Sequence, residues 1–226
     1  SSAASDVYKR QVLVTPGAQR TMCTDLGVSK DFSYARVNES DLRAAKCLYI
    51  EGYLSASELS SQSAARSAAL ANASSTQVAL TLSDISMIEF CRDGLSAIMG
   101  DGVDTLFCNI DEATAWAKTD RLDIAISELK DIAKELYVTL GSEGAEVYNI
   151  EGRWQVGGES VVAVDTNGAG DMFAGACLAA RLQGAEAIDA ARFANRAAAR
   201  VITQFGARLP SLTDSVSYTH LRAHET

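Results

Sequence analysis

Two glycines and a carboxylate fall within four consecutive positions, Gly168-Ala169-Gly170-Asp171, inside the segment VVAVDTNGAGDMFAGACLAARL at 161–182. An apolar run ends at Val164, Asp165-Thr166-Asn167 reads as a turn, and an alanine-rich helix begins near Asp171. Glycines lack a Cβ, so backbone N–H groups there can converge on one point. The helix start adds unpaired N–H groups and a positive dipole end. The combination suits an anion whose charge grows during reaction, such as a phosphoryl group in transfer. A carboxylate at its mouth can take the proton of an attacking hydroxyl. Asp171 is equally the residue type that caps a helix with no chemistry attached.

Other phosphate-binding loops fail on sequence. A dinucleotide-binding GxGxxG needs a third glycine where Phe173 stands, and no GxxxxGK[ST] occurs. Further positions carry two readings each. Asn109 and Glu112 follow an apolar run and sit three apart at a helix start, where both can face one side; they orient water on a metal, or cap the helix. Gly141 and Gly144 bracket a turn that can approach a nucleotide, or is a plain hairpin. Asn195 lies mid-helix, as a ligand contact or as a packed polar side chain. Asp84, just past a strand end, faces a substrate or phosphate, or caps the next helix. Arg20 is a phosphate clamp or a solvated strand residue.

The elements that must hold these residues alternate. A strand running into a loop is expected at 47–54, strands at 77–82, 104–109 and 136–141, and short antiparallel strands with glycine turns at Gly152 and Gly157-Gly158 across 145–164. Helices are expected at 57–72, 85–99, 111–118, 122–135, 169–182 and 185–204. This pattern predicts an α/β fold, doubly wound, with a mostly parallel sheet flanked by helices and ligands beyond the strands' carboxyl ends. Residues 12–29 read instead as two strands about a Pro16-Gly17 turn. The chain accordingly divides into a tail at 1–11, a hairpin segment at 12–42, an α/β domain at 43–213, and a second tail at 214–226. Neither tail fits a periodic pattern, and both are set aside as extraneous.

Composition narrows the class. With 226 residues, 47% hydrophobic and a net charge of −9, the chain can bury a core and lacks the basic surface that nucleic acid or an anionic membrane requires. Five scattered cysteines without a CxxC pair argue against zinc and disulfides and for a reducing, cytoplasmic setting. The two histidines, His220 and His224, lie in the last seven residues, which disfavours a histidine base. No run approaches the length of a membrane span.

The stretch 165–171, DTNGAGD, resembles the DTxGAGD signature of the PfkB, or ribokinase, family of carbohydrate and nucleoside kinases. Other family stations follow in order. Asn109-Ile110-Asp111-Glu112 looks like its NxxE, 139–144 (TLGSEG) like its TLGxxG nucleotide loop, and Phe193-Ala194-Asn195 like the helix flanking adenine. Gln204-Phe205-Gly206-Ala207 resembles the turn that completes a monovalent-cation site with Asp165 and Asn167. The resemblance, over 12–212, implies a ribokinase-like fold with the remnant of a small β lid. It also implies ATP, Mg2+ placed through water by Glu112, and K+ beside Asp165, Asn167 and Gly206. Asp171 would then be the base, Gly168, Ala169 and Gly170 the anion hole, and Thr139, Gly141, Gly144, Asn109 and Asn195 the nucleotide side.

TPGAQRTMCTDLG, YIEGYL and ALTLSD are most similar to bacterial adenosine-kinase-type members, where the stretch holding Arg20 lies near lid and phosphates. The implied reaction is phosphorylation of a primary hydroxyl, the 5′-hydroxyl of adenosine giving AMP, by a monomer or homodimer. A sugar kinase of the ribokinase or fructokinase type is the alternative. Family members begin with a further region carrying the first strands, most of the lid and the main sugar-recognition residues. This leaves a third reading, a catalytically incomplete nucleotide-binding fragment.

Overall fold

The computed structural model describes residues 9–14, 20–25 and 31–209, with side chains from 31 onward. Strands β1 (Lys9–Val14) and β2 (Arg20–Asp25) form a two-stranded sheet of their own. β1 thus starts inside the stretch that sequence reasoning set aside. The Pro16-Gly17 turn and the segment 214–226 lie outside the described residues.

The main sheet has six strands in sequential order: β3 (Cys47–Glu51), β4 (Gln77–Thr81), β5 (Val103–Asn109), β6 (Ala133–Thr139), β7 (Ala145–Asn149) and β8 (Gly152–Val156). β3 pairs parallel with β4, and β4 with β5. A link of only Ile150 and Glu151 obliges β7 and β8 to pair antiparallel, because parallel neighbours need a crossover. The interior strands carry consecutive buried residues, Val78-Ala79-Leu80 in β4 and Leu136-Tyr137-Val138 in β6. Such runs suit strands covered on both faces. Helices flank the sheet: α1 (Glu39–Ala44), α2 (Glu58–Ala73), α3 (Ile85–Phe90), α4 (Arg92–Met99), α5 (Ile110–Ala117), α6 (Leu122–Lys130), α7 (Ala169–Leu182) and α8 (Ala187–Val201).

Three elements differ from the sequence expectation. The helix expected at 85–99 is two helices, because the backbone at Cys91 leaves the helical region (φ −128°, ψ 24°). The break lets α4 press on the turn before α2: a Cβ on Gly94 would lie 2.9 Å from the Ser55 carbonyl oxygen. The helix expected at 122–135 stops at Lys130, and Ala133-Lys134-Glu135 open β6 instead. There Lys134 is exposed while Glu135 is buried and accepts a hydrogen bond from Tyr137 Oη at 2.6 Å. That i, i+2 pairing on one strand face overrides the helix propensity of lysine and glutamate. Residues 157–164 form no strand: 157–163 are exposed, and the Val164 and Asp165 N–H groups donate to the Ile202 carbonyl (2.8 and 3.2 Å).

Contacts divide the described residues into two compact units. One holds 9–11, 22–25, 31–138 and 148–152, the other 12–14, 20–21, 139–147 and 153–209. In the first, α2 packs through serines as well as alanines. Buried Ser63 and Ser67 return their hydroxyls to the carbonyls of Leu59 and Ser63 (2.7 and 2.8 Å), which hides the polar atoms and keeps the helix face thin. In the second, α7 and α8 pack against each other. Phe173, Cys177 and Ala180 of α7 are buried, as are Ala190, Ala191 and Ala194 of α8.

Candidate active site

α7 begins at Ala169, with Gly168 as its N-cap in the left-handed region (φ +80°) and no side chain capping it. The helix ladder opens with Met172 N–H donating to the Gly168 carbonyl (2.8 Å), and Ala169 N–H turns back to Thr166 (3.3 Å). The N–H groups of Gly170 and Asp171 precede the ladder and have no intrahelical acceptor. Beyond its chain neighbours and its own helix backbone, no atom of the described residues lies within 4 Å of where a Cβ on Gly170 would be. Asp171 is exposed in the first turn and makes no hydrogen bond to the described residues. The simple capping alternative therefore fails: the N-cap is Gly168, and the Asp171 carboxylate stands free beside open N–H groups.

The turn before α7 is held from behind. Asp165 is 4% exposed, and its two carboxylate oxygens accept from Asn167 N–H (2.9 Å) and Gly206 N–H (3.0 Å). A Cβ on Gly168 would sit 2.6 Å from Ala207 Cβ, so the loop after α8 occupies all the space there. Asp165, Asn167, Gly168 and Gly206 are thus one clasp. A buried carboxylate with no lysine or arginine partner among the described residues suits a monovalent cation, since burial of an unpaired charge is costly. Among the described residues no cluster of three or more His, Cys, Asp or Glu side chains is placed to hold a metal. Any cation here would rest on carbonyl oxygens together with Asp165.

In the same unit Thr139 ends β6, and Gly141 (φ +61°) and Gly144 (φ +100°) bracket a 3-10 turn closed by Leu140 N–H to the Gly144 carbonyl (2.8 Å). Space beside Gly141 is open, whereas Gly144 is pressed against Val156 O, Gly157 and Gly158. Asn195, mid-α8 and 8% exposed, donates to the carbonyls of Val156 (3.3 Å) and Gly157 (3.2 Å). The glycine turn and Asn195 therefore meet through a third segment.

Asn109 and Glu112 belong to the other unit and form a complete capping box at the start of α5. Asn109 Oδ1 accepts from Glu112 N–H (2.8 Å), while Glu112 accepts from Asn109 N–H (3.1 Å) and Nδ2 (2.9 Å). Glu112 is 7% exposed, and each of its carboxylate oxygens carries one of these bonds. The capping reading of this pair is realised. Burial of the neighbouring Cys108 thiol, and after it the Glu112 charge, push that thiol well above its ordinary pKa. Asp84 likewise caps α3, accepting from Ser86 N–H (2.8 Å) and Oγ (2.5 Å), the second of its two readings. Arg20 opens β2, and its side chain lies outside the described residues.

Sequence reasoning missed Ile202, whose carbonyl holds the turn before α7, and placed Ala207 in the cation-site turn without foreseeing that its methyl group packs against Gly168. Nothing in their residue types announces such roles. Gly157 and Gly158 were read as turn glycines, though their work is to lie flat against Gly144. A double glycine followed by a run without strand periodicity was the available signal.

The pfkB family carbohydrate kinase model matches residues 9–214. A probable fructokinase-5 of Arabidopsis thaliana is 34% identical over 133 residues, covering 55% of this chain and 40% of the plant protein. Among solved structures, a probable sugar kinase from Rhizobium etli superposes with a TM-score of 0.88 at 29% identity, over 96% of this chain and 65% of its own. An adenosine kinase from Sinorhizobium meliloti gives 0.88 at 30% identity, over 96% and 66%. The chain thus spans under half of the curated relative and about two thirds of the solved ones. With residues 9–214 matched and the DTNGAGD turn closed on its clasp, the chain belongs to the pfkB family of carbohydrate kinases.

Proposed function

We propose that this chain carries the ATP-binding and catalytic parts of a phosphotransferase acting on a primary hydroxyl, with Asp171 as general base. The hydroxyl gives its proton to Asp171 as its oxygen forms a bond to the γ-phosphorus of ATP. The bond from that phosphorus to the bridging oxygen breaks, and ADP leaves. Asp171 supports this reading best: its carboxylate is exposed, has no partner among the described residues and lies next to the open N–H of Gly170. Gly168, Ala169 and Gly170 supply the anion hole. Gly141 and Gly144, with Thr139 before them, line the nucleotide side, and α8 with Asn195 flanks the base. Glu112, behind the Asn109 cap, would hold a water of Mg2+, which would supply positive charge to the phosphates. Asp165, Asn167 and the Gly206 loop suit K+, which would stiffen the clasp. Arg20 is assigned to the phosphates and Asp84 to the acceptor side.

Adenosine is the preferred acceptor, supported by 30% identity to the S. meliloti adenosine kinase across 96% of this chain. A sugar acceptor is the second reading, supported by the 34% identity to the plant fructokinase over a shorter stretch. The test supplies the purified chain with Mg-ATP and, in turn, adenosine, ribose and fructose, and follows ADP release. Adenosine-dependent release abolished by Asp171→Asn supports the proposal. Mg-ATP binding without release for any acceptor favours the nucleotide-binding fragment, and release unaffected by the substitution removes Asp171 as base.

A further inference from the structure

A buried amide in the middle of α8 has its donors committed to a loop rather than aimed at a ligand. Asn195 has two N–H donors, and they go to the carbonyls of Val156 and Gly157 at 3.3 and 3.2 Å. Two facing carbonyls identify which end of the amide is nitrogen. On the next residue Arg196 Nε pairs with Glu159 at 3.5 Å, so two successive α8 side chains grip 156–159.

The gripped segment is interlocked with the glycine turn, backbone against backbone. A Cβ on Gly144 would collide with Val156 O and lie 2.6 Å from both Gly157 C and Gly158 N. From the other side, a Cβ on Gly158 would collide with Ser142 O and lie 3.0 Å from Gly144 N. Contacts this close leave no slack, so a displacement of 156–158 must move 141–144.

We propose that Asn195 is a positioning residue for the Gly141–Gly144 turn, acting through Val156–Gly158, and that it sets nucleotide affinity without hydrogen bonding to the base. The role rests on the kinase reading above. It predicts that any nucleotide sharing the triphosphate suffers equally when the amide is lost, because the turn and not a base contact is impaired.

The test combines hydrogen exchange with titration calorimetry on this chain and on Asn195→Ala, Asn195→Ser and Gly158→Ala. Alanine favours a helix interior, so α8 should persist. Loss of two hydrogen bonds is expected to speed exchange in peptides covering 139–147 by about tenfold, with exchange in α2 unchanged. Mg-ATP and Mg-ITP, which differ at the exocyclic position of the purine, should both weaken by the same factor, about tenfold. Gly158→Ala should give a similar loss, and the double variant no more than the worse single one, as coupled sites require. Selective loss of ATP would assign Asn195 to the base and overturn the proposal. Unchanged exchange at 139–147, or additive losses in the double variant, would overturn it as well. Failure of the unsubstituted chain to bind Mg-ATP would instead overturn the kinase reading, and exchange would still decide whether Asn195 holds the turn.

Discussion

α5 and α7 both start with an acidic residue in the first turn, yet one end is closed and the other open. At α5, Asn109 and Glu112 satisfy each other through three hydrogen bonds and Glu112 is buried. At α7 no side chain caps the helix, Asp171 is exposed, and the space beside Gly170 is vacant. The closed end spends its polar groups on stability. The open end leaves a positive helix terminus and a free carboxylate together, an arrangement that gives the fold little and a phosphoryl group much.

Breaking each end should therefore have opposite signatures. Asp171→Asn is expected to cut phosphoryl transfer by about 10²- to 10⁴-fold. The same change should leave thermal stability within about 0.5 kcal/mol, since the side chain is solvated. Parallel turnover and melting measurements check both halves, and a stability loss matching the activity loss would erase the contrast. Gly170→Ala should lower transfer about tenfold to a hundredfold by placing a methyl group where the anion belongs. It should also raise stability by about 0.5–1 kcal/mol, because alanine is the better helix residue and meets no neighbour; denaturant titration reads the sign.

Gly168→Ala should instead destabilise by about 1–3 kcal/mol, through its positive φ and the collision with Ala207. Asn109→Ala should cost about 1–2 kcal/mol by opening the box, a loss visible as a lower denaturation midpoint. The smallest effect concerns Cys108 beside the closed end. Its thiol is held neutral by burial and then by Glu112. A thiol whose pKa is raised on folding favours the native state at neutral pH, and that contribution fades as pH climbs through the unfolded value near about 8.5. Native Cys108 should thus resist iodoacetamide at pH 8 while the half-exposed Cys91 reacts, and added denaturant should abolish the difference.

The helix-start motif of α7 was legible because its glycines and aspartate are adjacent in sequence and the physics is local. The α2, α7 and β4 boundaries fall within a residue of expectation for the same reason. Whether Asn109, Glu112 and Asp84 cap or bind was not legible, because the same atoms serve either role and only their partners decide. The misplaced strand at the end of 145–164 and the overlong helix at 122–135 share a cause. Their backbones answer to Ile202, Tyr137 and the sheet, groups that local propensity does not see.

The hydrogen bond from Gly206 to Asp165 spans 41 residues. A ribosome releases Asp165 and Asp171 well before the loop that shapes their turn. Nascent chains therefore carry every residue of the DTNGAGD motif in an unfinished geometry until α8 and the following loop have emerged.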